Sequence, residues 1–224
     1  MGKALRVLFV IFAAVTMFGA AAVQANALDD NGWQVKAGVR DNDFGYVKSL
    51  SVKVVNSASY DFGEVQQVEV SEDQINWQTY PYTGDVLAFA FSGVDGDKVA
   101  FVRFLASDGT YSPLVRVTTV VDTKKPATYA LNRVSVRRGH YVQFKFNVKD
   151  ATSVASFPRI IVRNSKGEVI AKTGLFGLVA TNQTTTVRIL VNMHPGRYTW
   201  SVRARDLAGW YQGSRTSRSL VVMK

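Results

Sequence analysis

Apolar and polar residues alternate with a period of two over short stretches along most of the chain. LSVKV (Leu50 to Val54), VQFKFNV (Val142 to Val148) and VRILV (Val187 to Val191) show the pattern, as does the shorter VEV of Val68 to Val70. Successive side chains of a strand point to opposite faces, so these runs are strands with one buried face and one solvated face. Gly, Asp, Asn and Ser interrupt them at turn-like intervals, and no window carries the 3.6-residue period of an amphipathic helix. The pattern predicts an all-β chain built of antiparallel β-sandwiches.

The chain also repeats itself. AFVRFLASDGTY (Ala100 to Tyr111) lies over WSVRARDLAGWY (Trp200 to Tyr211) at a constant offset of 100 residues, pairing Val102 with Val202, Arg103 with Arg203, Gly109 with Gly209 and Tyr111 with Tyr211. Between the copies, DTKKP (Asp122 to Pro126) has the small polar residues and proline of a boundary between domains. The expected organisation is a leader over residues 1–27, a first sandwich over 28–122, a linker over 123–127 and a second sandwich over 128–224.

VEVSEDQINWQTY, GDKVAFVRFLASDGTYS and VVDTKKPA resemble the bacterial Ig-like repeats of secreted and cell-surface proteins. Trp77, Gly109, Asp122 and Pro126 fit the usual pattern of those repeats, whereas Ala106 and Thr110 replace its usual Asp and Asn. That departure implies a turn without its usual polar pairing. PGRYTWSVRARD is similar to the late strand of fibronectin type III and flagellar-hook-cap Ig-like domains, with Tyr198 in the place of a tyrosine-corner residue. The resemblance implies two tandem Ig-like (fibronectin III-like) antiparallel β-sandwiches after an N-terminal signal peptide. It also implies that Trp77 is a core residue.

The N-terminus changes the compartment. MGKALR carries Lys3 and Arg6, an apolar run extends from Val7 to about Ala22, and small residues stand at Ala25 and Ala27, the layout of a secretory signal peptide. Cleavage is expected after Ala25 or Ala27, an uncleaved anchor being the alternative. The processed chain is then expected not to span a membrane, and to be secreted or associated with the cell surface. The sequence contains 0 Cys, so no disulfide supplements the core and no lipid-modified cysteine is available.

Charge separates the two halves. Residues 28–125 hold 9 Lys and Arg against 14 Asp and Glu; residues 126–224 hold 16 against 3. The second half therefore attracts polyanions and the first repels them.

The sequence offers little to an enzyme. His140 and His194 sit at turns or strand edges, no Gly-x-Ser-x-Gly elbow occurs, and the acidic residues form no recognisable glycosidase pair. Zinc lacks clustered Cys and His. DND (Asp41 to Asp43) and DGD (Asp95 to Asp97) offer oxygen ligands, but short Asp-rich turns are more often turn chemistry. No catalytic residue, metal or cofactor is implied.

What remains is the basic strand GRYTWSVRARD. Strand parity sends Tyr198, Trp200, Val202 and Ala204 to the core and Arg197, Arg203 and Arg205 outward. Arg159 and Arg163 follow the same parity in FPRIIVR, and in an Ig-like sandwich the third and sixth strands share a sheet. Arg159, Arg163, Arg197, Arg203 and Arg205 thus form a candidate polyanion-binding face, with Trp210 and Tyr211 as aromatic contacts at its rim. Solvated charge on an outward face is the plain alternative explanation. The functional expectation is a non-catalytic binding or adhesion protein of the bacterial cell envelope. Its partner would be an anionic glycopolymer or another polyanion such as lipid head groups or nucleic acid. The alternatives are a structural spacer docking a protein partner and a module binding neutral carbohydrate.

Overall fold

The structure, a computed structural model, describes residues 25–28, 31–84 and 86–224, so the expected leader lies outside it up to residue 24. The described residues are strands, turns and loops without a helix, and no helix among them is long and apolar enough to cross a membrane. They divide into two compact units between Thr123 and Lys124.

The first unit contains β1 (Ala25–Leu28), β2 (Trp33–Val39), β3 (Tyr46–Val47), β4 (Ser51–Tyr60), β5 (Val65–Ser71), β6 (Gln78–Pro81), β7 (Val86–Ala90), β8 (Gly96–Ala106) and β9 (Val115–Val121). One sheet has the order β1-β2-β4-β7 and the other β3-β9-β8-β5-β6. β1 runs antiparallel to β2, so the three residues before Leu28 that were expected in the leader pair with Lys36 and its neighbours.

The second unit contains β10 (Ala127–Ala130), β11 (Val134–Arg137), β12 (His140–Lys149), β13 (Ala155–Arg163), β14 (Val169–Lys172), β15 (Val179–Ala180), β16 (Thr184–Val191), β17 (Gly196–Asp206), β18 (Ser214–Arg215) and β19 (Ser217–Met223). Its sheets run β16-β12-β10-β18 and β11-β19-β17-β13-β14, with β15 on β13. Strand for strand, β10-β12-β16 repeats β2-β4-β7, and β11-β19-β17-β13-β14 repeats β3-β9-β8-β5-β6. In each unit the short strand β3 or β11 pairs parallel with the last long strand, and the other main pairs are antiparallel.

Alternation decides what each sandwich buries. In the first unit Trp33, Val35, Val54 and Phe89 from one sheet meet Val68, Val70, Val102 and Phe104 from the other. In the second, Phe144, Phe146 and Ile189 meet Ile160, Trp200, Val202 and Leu220. Removing such a side chain from water contributes about 1.5–3 kcal/mol. Trp200 packs edge-on to Phe144 at 4.9 Å, and its indole N–H donates to the Asn132 carbonyl at 3.1 Å. The Tyr198 hydroxyl donates to the His194 carbonyl at 2.9 Å, the backward hydroxyl-to-backbone bond of a tyrosine corner.

Trp77 does not belong to the first core. It lies half-buried in the β5–β6 turn, its indole N–H bonded to the Gln74 carbonyl, while Trp33 takes the core position, stacked 4.5 Å from Tyr60. The signal for Trp33 was present in WQVKAGV, whose Trp33, Val35, Ala37 and Val39 alternate.

The turns after β8 and β17 share one hydrogen-bond pattern. Ala106 N donates to the Thr110 carbonyl and Gly109 N to Ala106, as Asp206 N does to Trp210 and Gly209 N to Asp206. Both glycines lie at positive φ, 86° and 89°, where a side chain is strained. The first of these turns keeps a polar pairing after all. Asp108 accepts from Thr110 N at 2.9 Å and from the Tyr60 hydroxyl at 3.3 Å, and the Thr110 N–H bond is the main reason its carboxyl sits below the usual range.

Candidate polyanion-binding face

β13 and β17 pair antiparallel in a register that fixes the outward side chains. Arg159 stands directly opposite Arg203, Phe157 opposite Arg205, Ile161 opposite Ser201 and Arg163 opposite Thr199. Arg197 continues the same face of β17 two residues before Thr199, next to Val221 of β19. The sheet therefore brings all five arginines to one face in two groups: Arg159, Arg203 and Arg205 at one end, Arg163 and Arg197 at the other.

The arginine stems have a packing role. Ile161 and Ser201 point outward between the two groups yet are only 7% and 2% exposed. Long arginine side chains cover apolar surface with their methylenes while their charged heads stay at the surface. The heads meet rings. The Arg203 guanidinium carbon lies 4.6 Å from the Tyr211 ring centre and that of Arg205 lies 5.4 Å from Phe157. Arg163 Nη1 donates to Ser201 Oγ at 3.4 Å. Burial lowers the Arg163 pKa first, and the positive charge of Arg215 lowers it further.

No ion pair among the described residues joins any of the five to a carboxylate. The Nε–H groups of Arg159 and Arg205 are buried without a hydrogen-bond partner. Like charges directly opposite on a sheet repel, so Arg159 and Arg203 do not help this ladder form.

The first unit shows the same rung in a closed form. Arg103 of β8 stands opposite Glu69 of β5, and its Nε reaches Glu69 Oε2 at 2.7 Å. The Arg103 guanidinium lies between two rings, 4.0 Å from Trp77 and 4.2 Å from Tyr111. At the offset of 100 residues, Arg203 and Tyr211 take the places of Arg103 and Tyr111, and the isolated bridge Leu105–Tyr111 recurs as Arg205–Tyr211. Arg159 stands where the first unit has Glu69.

Of the two aromatic candidates, Tyr211 contacts the arginine group and is 44% exposed. Trp210 is half-buried, its N–H bonded to Asp206 Oδ1 at 2.7 Å and its ring 5.7 Å from Lys125 Nζ. Sequence reasoning missed Arg215. It lies in β18, beside β10, and its charge acts on Arg163. An apolar cleft lined by Phe144, Ile160, Val162, Ala171, Ile189 and Leu220 opens inside the second sandwich, on the other side of the sheet from the arginines.

The other candidate chemistries resolve into local structure. His140 and His194 are exposed, and His140 Nδ1 lies 3.2 Å from the Arg138 carbonyl. In DND, Asn42 Oδ1 accepts from Phe44 N and Tyr46 N, which closes the turn, and burial raises the Asp41 pKa. In DGD, Asp95 accepts from Thr123 Oγ1 at 2.8 Å. Among the described residues neither segment gathers three metal-ligating side chains.

No family model and no curated protein sequence matches this chain. Among solved structures it is similar to the fibronectin(III)-like modules of Clostridium thermocellum CbhA, with 15% identity and a TM-score of 0.44, over 79% of this chain and 87% of that one. It is also similar to a tetra-tandem repeat in the extending region of a large adhesion protein, with 10% identity and a TM-score of 0.40, over 84% of this chain and 50% of that one. The strand orders and registers of both units make the chain an all-β protein of Ig-like, fibronectin III-like sandwiches.

Proposed function

We propose that this is an exported, non-catalytic binding or adhesion protein of the bacterial cell envelope, whose second unit holds an anionic polymer on the outward face of β13 and β17. One observation carries the reading: Arg159 faces Arg203 across the ladder where the first unit has Glu69 opposite Arg103. Folding alone favours the Glu–Arg rung, so an Arg–Arg rung calls for an anion from outside. The charge of the second half, 16 basic residues against 3 acidic, extends the attraction beyond contact distance.

Export follows from the leader. The secreted form is expected to begin at Asn26 or Leu28, and intact mass spectrometry checks this. A mature species retaining Met1 to Ala20 would replace secretion by anchoring.

The test of the binding reading is salt dependence. Neutralising five phosphates of a DNA-like polymer gives a slope of log affinity against log salt of roughly −4.5. Replacing Arg203 and Arg205 together by Ser removes about 1.8 of it and leaves the β-type circular dichroism unchanged. An unchanged slope and affinity in the double variant would remove the arginine face from the function. A salt-independent interaction with a neutral glycan or a protein would favour the carbohydrate or spacer reading.

A further inference from the structure

We infer that Arg159, Arg203 and Arg205 form a discrete pocket-less site for one tetrahedral oxyanion, a sulfate or phosphate ester group carried by a glycopolymer, and that Arg159 is the residue that opens it. The inference rests on the polyanion reading above and assigns that reading a ligand group and a specificity residue.

The first unit shows how this rung treats an oxyanion. Glu69 supplies a carboxylate, and Arg103 binds it through Nε at 2.7 Å. Both faces of the Arg103 guanidinium are covered, by Trp77 and Tyr111. A stacked guanidinium keeps its N–H donors in its own plane, so the rings occupy its faces and leave its edge to the anion. The charge of the rung is thus balanced by a carboxylate from the same chain.

The second unit keeps the stacking and removes the acid. Arg203 lies on Tyr211 and Arg205 on Phe157. Arg159 replaces the carboxylate, and Arg205 adds a third guanidinium where the first unit has Leu105. The three arginines occupy two adjacent rungs of one strand pair, so their Cβ atoms fall within about 8 Å. The buried Nε–H donors of Arg159 and Arg205 remain unsatisfied.

Ligand class follows from this donor set. One carboxylate balances the charge of one guanidinium, as Glu69 does for Arg103. Three guanidiniums on two rungs, none of them ion-paired among the described residues, match a group with three unesterified oxygens pointing in different directions. Sulfate and phosphate esters have that shape. A carboxylate offers two coplanar oxygens, and a phosphodiester offers two free ones.

The experiment uses the full chain. Arginine Nε–Hε resonances are followed by NMR while inorganic sulfate, inorganic phosphate or acetate is added at matched ionic strength. Affinities for dextran sulfate, dextran carrying phosphate monoesters, and polygalacturonate of similar charge density are measured in parallel. The Nε–Hε signals of Arg159 and Arg205 are expected to shift with sulfate or phosphate and not with acetate. Whichever of dextran sulfate and dextran phosphate monoester binds more tightly identifies the ester, and polygalacturonate is expected to bind at least tenfold more weakly. Arg159→Glu, which rebuilds the closed rung, is expected to lose at least tenfold in affinity for the preferred polymer. Arg159→Gln, which guards against misfolding of the first variant, is expected to lose about threefold. Wild-type protein that binds no polyanion would overturn the reading on which this rests. Wild-type binding that survives both Arg159 variants, or that carboxylated polymer matches, would overturn this inference alone.

Discussion

Arg159 and Arg203 face each other across the β13–β17 ladder, in the place that Glu69 and Arg103 fill between β5 and β8. One substitution on one rung separates a closed ion pair from an open pair of cations. The inward residues beside them differ little in kind, since Val70 and Val102 flank one rung and Ile160 and Val202 the other. The difference between the units therefore lies on the outward face and leaves the packing between the sheets alone.

Replacing Glu69 by Gln tests the closed rung. The Arg103 Nε loses a charge-assisted bond, and the first unit is expected to lose about 1–2 kcal/mol of stability. Denaturant unfolding followed by tryptophan fluorescence measures it. If the loss stays under about 0.3 kcal/mol, the rung contributes no more than an exposed surface pair.

Trp200 and Trp77 were both candidates for structural roles, and the structure separates them. Trp200→Ala removes a fully buried side chain from the second core and is expected to cost about 3–5 kcal/mol. Trp77→Ala removes one ring from beside Arg103, a loss of about 1 kcal/mol. Equal losses in the two variants would contradict the burial difference.

Each unit has its own apolar cluster. Residues 28–125 and 126–224, expressed separately, are therefore expected to fold with β-type circular dichroism and cooperative melting. A half that remains unfolded by itself would show that its core is completed elsewhere.

Asp73 gives the first unit a pH signature. Its carboxylate accepts from Asn76 N at 2.8 Å, Ile75 N at 2.9 Å, the Asn76 side chain at 2.7 Å and the Ser71 hydroxyl, and the Asn76 and Ile75 N–H bonds are the largest causes holding its pKa far below the usual carboxylate range. A depressed folded pKa adds stability above the unfolded pKa, and that stability is lost as pH falls toward the folded value. Asp73→Asn is expected to lower the melting temperature at neutral pH and to narrow its gap from wild type in strong acid. A gap independent of pH would show that the carboxylate charge is not the holding group.

The sheet architecture was legible because alternation writes it directly, and the arginine strand was legible for the same reason. Tyr198, Trp200, Val202 and Ala204 left Arg197, Arg203 and Arg205 one possible face. The pairing partner of Arg203 was not legible. Parity places Arg159 on the correct face, but only the register between two strands distant in sequence decides whether it meets Arg203 or slides past by two residues. Trp77 was misassigned for a related reason, since a tryptophan in a turn motif can point into a sandwich or lie along its edge. The carboxylate of Asp108 reached its turn through a neighbour of the position where the pattern lacked one.

Residues that build the second sandwich and residues that would meet a ligand alternate along β17 as two interleaved alphabets. Drift in the outward charges leaves the inward core unread. A binding surface on such a strand can be recoded one letter at a time, between acid and base, without passing through an unfolded intermediate sequence. The two halves of this chain stand as two spellings on a common grammar, one writing Glu69 opposite Arg103 and the other Arg159 opposite Arg203.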